Sequence, residues 1–172
     1  MAIYALDDRV PTIDASAYVH PDAVVIGMVE IGAEATIWPH AVLRGDYGRI
    51  VVGARTSVQD GTVVHATHEL ATVIGSDCVI GHNTHLEGCR IEDHSLVGSG
   101  SIVLHRCVVG PHSLVGANAV VTNGTVVPPH AQALGIPAKI KEGAVADGSF
   151  AAAVALYVDN GKRYRAELRR LD

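Results

Sequence analysis

Residues 91–122, IEDHSLVGSGSIVLHRCVVGPHSLVGANAVVT, decide the fold because an aliphatic residue recurs there at every sixth position. The same unit extends back to Ile31, and its aliphatic residues form groups of three with a spacing of six inside each group. The groups are Ile31, Ile37 and Leu43; Val52, Val58 and Val64; Ile74, Ile80 and Leu86; Ile91, Val97 and Val103; and Val109, Val115 and Val121. A helix needs apolar spacings of three and four, and a sandwich needs hairpin turns. The period of six therefore predicts a parallel β-helix of triangular cross-section, mainly β, in which three units make one turn.

The chain is predicted to form a single domain over residues 1–172, with a coil followed by a helix. The β-helix is predicted over about residues 17–132, ending near Pro128 because proline cannot donate to a strand ladder. From about residue 144 to 171, apolar residues recur near helical spacing, which predicts one amphipathic α-helix packed along the coil. Gly161 lowers the helix propensity of its middle and allows a kink there.

Composition excludes several classes of function. The net charge of −5 and the pI near 6.0 argue against a nucleic-acid-binding protein, which needs a basic surface. No run of about 18 apolar residues is present, so no membrane span is predicted. The first eight residues lack the order of a signal peptide, and three cysteines lie inside the repeat. These features predict a cytoplasmic protein with reduced thiols.

Stacking the coils places polar residues of successive turns in columns. Arg44, His65 and Glu87 each follow the third aliphatic residue of their turn, so they are predicted to form one outward ladder with a rise of about 4.8 Å per coil. Asp60 and His82 each follow the second aliphatic residue by two positions. They are predicted to form a second ladder near another corner.

Four residues in this stretch are of the types that bind a first-row metal ion. His65, His82 and His85 supply imidazole nitrogen, and Glu87 supplies carboxylate oxygen. Such a cluster beside Gln59 predicts a metal site. Because His65 and His82 lie on different edges of the triangle, a neighbouring subunit must complete the site, and a closed threefold ring would contain three equivalent sites.

Several short runs together resemble the γ-class carbonic anhydrases and their close relatives. They are LRGD at 43–46, SVQDG at 57–61, VHA at 64–66, IGH at 80–82, GC at 88–89 and the exit LGIPAK at 134–139. The resemblance implies a left-handed coil and a homotrimer. It also implies a lyase that uses a zinc-bound hydroxide to hydrate carbon dioxide to bicarbonate at the subunit interfaces, with His65 and His82 as zinc ligands.

The resemblance further implies roles for the polar residues around the metal. Gln59 would orient the metal-bound water. Arg44 and Asp60 would form an ion pair between subunits, and Asp46 would support Arg44. Tyr157 resembles a tyrosine that lies near the metal in many relatives; the alternative is a helix aromatic that packs on the coil.

The third ligand departs from the family pattern. The family usually places a histidine five residues after the position of His82, and Glu87 stands there in this chain. His85 is two residues earlier, and both side chains flank an inward-facing leucine. We predict a site of three histidines, His65, His82 and His85, with Glu87 as the alternate third ligand. The ligand types also suit Fe²⁺ or Co²⁺.

Other functions share the same coil. A hexapeptide-repeat acyltransferase would build an acyl-CoA site between subunits around a catalytic histidine. A metal-dependent thioester hydrolase would use the same metal-bound hydroxide on a thioester. A third alternative is a metal-bearing scaffold or binding trimer without enzymatic activity.

Overall fold

The computed structural model describes residues 2–172, which form a left-handed parallel β-helix of about seven turns and one C-terminal helix. The fold class predicted from the sequence is confirmed. The elements are β1 (Ala2–Tyr4), β2 (Thr12–Ile13), β3 (Tyr18–Val19), β4 (Val24–Ile31), β5 (Thr36–Ile37), β6 (Val42–Val52), β7 (Ser57–Val58), β8 (Val63–His65), β9 (Thr72–Ile74), β10 (Val79–Ile80), β11 (His85–Glu87), β12 (Arg90–Ile91), β13 (Leu96–Val97), β14 (Ile102–Val103), β15 (Val108–Val109), β16 (Leu114–Val115), β17 (Val120–Val121), β18 (Val126–Val127), β19 (Gln132–Leu134), β20 (Lys139–Lys141) and α1 (Ala151–Glu167).

The strands stack into three faces. The first face runs from β3 through β5, β7, β10, β13 and β16 to β19, and β20 closes it by pairing antiparallel with β19. The second face follows the start of β6 through β8, β11 and β14 to β17. The third follows the end of β6 through β9, β12 and β15 to β18. Because β4 and β6 each continue through a corner, the second and third faces join as one sheet.

The interior is filled by the aliphatic residues of the repeat. All of those predicted from the spacing of six are buried. They pair in register, as Ile37 does with Val58 and Val58 with Ile80, so identical positions of successive coils touch. Small hydroxyl residues lie at the corners between them. The hydroxyl of Thr62, for example, donates to the Gly81 carbonyl at 2.8 Å, which satisfies a backbone acceptor of the next coil.

Helix α1 packs along the first face, against β3, β5 and β7. Val154, Val158 and Gly161 are its buried residues. The helix is continuous through Gly161, so the glycine does not kink it. Gly161 instead provides space, because a Cβ atom there would lie 2.6 Å from Cγ2 of buried Thr36. No helix within residues 2–172 is both long enough and apolar enough to span a membrane.

Gly161→Ala is expected to destabilise the protein, although alanine raises helix propensity by about 1 kcal/mol. The new methyl overlaps Thr36, and overpacking a core costs about 1–3 kcal/mol. The double variant Gly161→Ala with Thr36→Ser removes the overlapping methyl of Thr36, so it should regain the lost stability. The urea midpoint of both variants measures this. A gain of stability in Gly161→Ala alone would show that the helix does not dock at this point.

Candidate functional site

The predicted ladder of Arg44, His65 and Glu87 is present on the second face. Arg44 pairs in register with His65, and His65 with Glu87. The inward neighbours of these residues are buried aliphatics, so the three side chains point outward. Nδ1 of His65 lies 2.8 Å from Oε1 of Glu87. The ladder is therefore a contact between coils, as the column spacing predicts.

Asp46 joins the ladder because β6 continues past Arg44 into the corner. Its Oδ1 lies 3.0 Å from Nε2 of His65, and its Oδ2 accepts a hydrogen bond from Arg44. Both ring nitrogens of His65 thus face carboxylates. Burial raises the pKa of Asp46, but the hydrogen bonds from His65 and Arg44 outweigh it and hold the pKa below the ordinary value of 3.8.

Three imidazoles surround the Glu87 carboxylate. Besides His65, Nε2 of His85 lies 3.3 Å from Oε2, and Nε2 of His105 lies 3.7 Å from the same oxygen. Burial raises the pKa of Glu87, but the His65 hydrogen bond and charge, with His85 and His105, lower it below the ordinary 4.5. His105 was not among the site residues predicted from the sequence. It lies one residue beyond Leu104, the apolar residue that occupies the ladder position in its coil, so the column of Arg44, His65 and Glu87 does not include it.

Acidification is expected to reduce stability through Asp46 and Glu87. Their pKa values are lower in the folded protein than in the unfolded chain, so their contribution is present above the unfolded values and is lost as pH falls through the folded ones. Stability should therefore decline below about pH 4, and Glu87→Gln should flatten that decline. Glu142→Gln, at an exposed position, is the matched control. Thermal unfolding between pH 3 and 7 measures the slope, and an identical slope in Glu87→Gln and Glu142→Gln would contradict the assignment.

The second predicted pair, Asp60 and His82, lies at the corner between the first and second faces. Nδ1 of His82 is 2.9 Å from Oδ2 of Asp60. Both side chains are about half exposed, at 47% each. No hydrogen bond from any residue within 2–172 occupies Nε2 of His82. Gln59, next to Asp60, is buried. This corner therefore presents an imidazole that is held at one nitrogen and open at the other.

Tyr157 lies on the face of α1 that contacts the coil. Its ring centroid is 6.0 Å from that of Trp38, in an edge-to-face arrangement. Trp38 in turn donates from its indole nitrogen to the hydroxyls of Thr36 and Ser57, at 3.1 and 2.9 Å. This packing corresponds to the alternative considered for Tyr157, a helix aromatic that packs on the coil. The predicted role of Tyr157 in the chemistry stays a prediction.

The prediction of zinc, with Fe²⁺ or Co²⁺ as alternatives, is wrong. Among the side chains of residues 2–172, no group of three histidines, cysteines or carboxylates is arranged to hold a metal ion. The contacts give the physical reason, because His65 directs both ring nitrogens at carboxylates and His85 directs Nε2 at Glu87. The ligand roles predicted for His65, His82 and His85, and for Glu87 as alternate, depended on that metal and are not carried further.

Comparisons with known proteins match the repeat and the whole fold. A family model described as bacterial transferase hexapeptide (six repeats) matches residues 71–103 and 88–123. The carnitine operon protein CaiE of Escherichia coli (strain K12) is 42% identical over 104 residues, which are 60% of this chain and 53% of CaiE. The chain thus spans about half the length of the curated relatives it matches.

Two solved structures match almost throughout. A Bacillus cereus protein described as a candidate acetyltransferase is 30% identical, with a TM-score of 0.94, over 97% of this chain and 98% of that one. A hexapeptide transferase family protein from Anaplasma phagocytophilum is 33% identical, with a TM-score of 0.89, over 95% and 98% of the two chains.

The repeat and the fold define a hexapeptide-repeat β-helix protein. The near-complete matches make the assignment specific: the chain belongs to the hexapeptide transferase family. The predicted hydration of carbon dioxide by a carbonic anhydrase lyase is therefore wrong, since the relatives are described as transferases.

Proposed function

We propose that this protein is an acyltransferase that moves an acyl group from an acyl-CoA thioester to a hydroxyl or amine of a small molecule. The observation that carries the proposal is the pairing of His82 with Asp60 at 2.9 Å, which leaves Nε2 of His82 open at a half-exposed corner. Imidazole with one nitrogen held by a carboxylate is the arrangement of a general base. The family membership supports the same class of reaction.

In the proposed reaction, Nε2 of His82 takes the proton of the acceptor hydroxyl or amine as its oxygen or nitrogen attacks the thioester carbonyl. The new C–O or C–N bond forms, the C–S bond breaks, and the CoA thiolate leaves with the proton that His82 returns. Asp60 accepts the Nδ1 hydrogen bond, which fixes the tautomer and stabilises the imidazolium as it forms.

The other histidines of the cluster are less suited to this role. His65 has carboxylates 2.8 and 3.0 Å from its two nitrogens, so neither nitrogen is open to an acceptor. His85 directs Nε2 at Glu87. We assign a supporting role to Arg44, Asp46 and Glu87, which maintain the shape and the charge of the neighbouring surface. Gln59, beside Asp60 in the chain, is buried, and the role predicted for it stays a prediction.

The proposed assembly is a homotrimer that closes through the second face. Helix α1 packs on the first face, whereas the outward positions of the second face form a row of partly exposed residues. The row consists of Val24, Val42, Val63, His85, Ile102 and Val120. A mostly apolar row of this kind favours contact with another copy. Such contact would bring the ladder of one protomer towards the corner of its neighbour.

Val63→Arg is expected to dissociate the trimer, because the substitution places a charge in the middle of the apolar row, where it would be buried without a partner. Sedimentation velocity at micromolar protein should show a trimer for the parent protein and a monomer for this variant. Val10→Arg, at an exposed position outside the row, is the control and should remain trimeric. A trimer of Val63→Arg would place the interface elsewhere.

The function is tested by following free thiol released from acetyl-CoA in the presence of acceptors that carry hydroxyl or amine groups. Release that requires an acceptor, together with an acetylated product by mass spectrometry, supports transfer. Thiol release without an acceptor, at the same rate, would indicate thioester hydrolysis instead. No release with acetyl-CoA or longer acyl-CoA would leave the scaffold alternative and overturn the proposal.

A further inference from the structure

A column of polar side chains runs along the corner between the third and the first faces, where each coil contributes one residue with a positive φ of 54–60°. Each member lies three residues after the inward aliphatic of the third face, and those aliphatics pair in register from coil to coil. Neighbours in the column are therefore about 4.8 Å apart. The members are Glu34, Arg55, Asp77, His94, His112 and His130. Nothing in the proposed reaction uses this column.

The three histidines of the column form a stack of rings. The ring centroids of His94 and His112 are 4.8 Å apart with an interplanar angle of 17°, and those of His112 and His130 are 5.0 Å apart with an angle of 3°. These separations lie in the range of stacked aromatic pairs. Because the column places one ring on each coil, both faces of His112 are covered by imidazoles, whereas His94 stacks on a neighbouring imidazole with one face.

The stack stops at His94 because the preceding coil carries Asp77, which has no ring. Oδ1 of Asp77 accepts a hydrogen bond from Nε of Arg55 at 2.7 Å, so its carboxylate is paired with the coil before it. A cavity of about 260 Å³ lies at this point. Arg55, Asp77, His94 and His112 line it from the coil, and Phe150 and Val154 line it from the start of α1. The row of Asp77 is therefore a gap in the stack.

The dimensions of the gap suit one flat ring. His94 and Arg55 are two coils apart, which is about 9.6 Å, so a ring midway between them would lie about 4.8 Å from each. That distance allows stacking on the imidazole and a cation–π contact with the guanidinium, which needs about 6 Å or less. The volume is just below the about 300–1,000 Å³ of sites for drug-sized ligands, so it suits a single small ring system. An aliphatic chain would use neither contact.

Asp77 determines which ring fits best. Its Oδ1 is bonded to Arg55, and its Oδ2 forms no hydrogen bond with any residue within 2–172. A carboxylate oxygen can only accept, so a ring with an N–H donor at its edge is favoured. We propose that the gap binds an amino-substituted nucleobase, an aminopurine such as adenine, which stacks between His94 and Arg55 and donates from its amino group to Asp77. The proposal does not depend on acyl transfer, because binding is measured without turnover.

Adenosine is the probe, and isothermal titration calorimetry should show saturable binding to the parent protein. Purine riboside keeps the flat ring and the ribose but lacks the amino group, so it should bind about tenfold more weakly. Proton signals of the His94 ring should shift in the nuclear magnetic resonance spectrum when adenosine is added, because the purine lies on its face. Those of His130, which is separated from the gap by His112, should shift far less.

Two variants of Asp77 test the gap and the polar contact. Asp77→His places a fourth imidazole in the empty row, at a φ that three histidines of the column already adopt, so it should abolish adenosine binding. Asp77→Gly keeps the gap and removes the acceptor, so adenosine and purine riboside should bind it equally. Asn118→His, at an exposed position of positive φ on another corner, is the control and should bind adenosine as the parent does. Circular dichroism verifies the fold of each variant.

No saturable binding of adenosine to the parent protein would overturn the proposal. Adenosine binding that persists in Asp77→His would place the purine elsewhere, for example at the acyl-CoA site, and would also overturn it. An unchanged preference for adenosine over purine riboside in Asp77→Gly would show that Asp77 is not the acceptor. If Asp77→His does not fold, a His130 shift larger than that of His94 in the parent protein would contradict the proposed position.

Discussion

His82→Ala is expected to lower the rate of acyl transfer by about 10²- to 10⁴-fold, the contribution that a positioned general base typically makes. The fold should be unaffected, because the His82 side chain is about half exposed and its contact is with Asp60. Circular dichroism and the thermal midpoint verify this. The thiol-release assay, at saturating acetyl-CoA and acceptor, measures the rate.

Asp60→Asn distinguishes the contribution of Asp60 to the rate from that of His82. It should reduce the rate less than His82→Ala does, because the imidazole remains while its tautomer and orientation are no longer fixed. His68→Ala removes a histidine outside the pair and should leave the rate unchanged. If His82→Ala kept the parental activity, another residue would have to act as the base, and the proposed mechanism would be wrong.

Leu86→Ala is expected to destabilise the protein by about 2–5 kcal/mol, the usual cost of truncating a fully buried leucine. Leu86 is completely buried and pairs with Val64 on one side and Val103 on the other, so neither neighbouring coil can move in to fill the space. The packing of successive coils is tight because each strand is only about 4.8 Å from the next.

The change in the free energy of unfolding, measured in urea, gives the cost of the truncation. Leu156→Ala, on the exposed side of α1, is the control. Because stacked repeats can unfold in parts, the transition should be followed both by far-ultraviolet circular dichroism and by Trp38 fluorescence. A loss of less than 1 kcal/mol in Leu86→Ala would contradict the continuous core described for the coil.

The spacing of six was sufficient to predict the coil and its interior. A residue's place in the repeat fixes whether it points inward, and every coil obeys the same rule, so errors do not accumulate along the chain. Leu43, Val64 and Leu86 illustrate this, because each was predicted to be inward and each is completely buried. The columns of outward residues followed from the same register, including the contact of His65 with Glu87.

The site was predicted less well for a physical reason. The sequence shows which residues share a column, but it does not show where each side chain directs its polar atoms. His65, His82 and His85 are all metal-ligand types, yet the nitrogens of His65 face Asp46 and Glu87, and Nε2 of His85 faces Glu87. The metal prediction failed because of these directions.

Short motifs also carried less information about function than about fold. Glycines and small polar residues at the corners are required by the tight packing of one coil on the next. A Cβ atom at Gly81 would lie 2.7 Å from the backbone nitrogen of Ser99, so glycine is needed there whatever the reaction. The resemblance built partly on such positions therefore reached the correct architecture and the wrong activity. His105 was overlooked because it lies off the column.

The most direct measurement of the central claim is thiol release from acetyl-CoA by the parent protein and by His82→Ala, across a set of hydroxyl and amine acceptors, with the product identified by mass spectrometry. We predict acceptor-dependent release, an acetylated product, and a loss of about 10²-fold or more in His82→Ala. Acceptor-independent release, or transfer that persists unchanged in His82→Ala, would contradict the proposed mechanism.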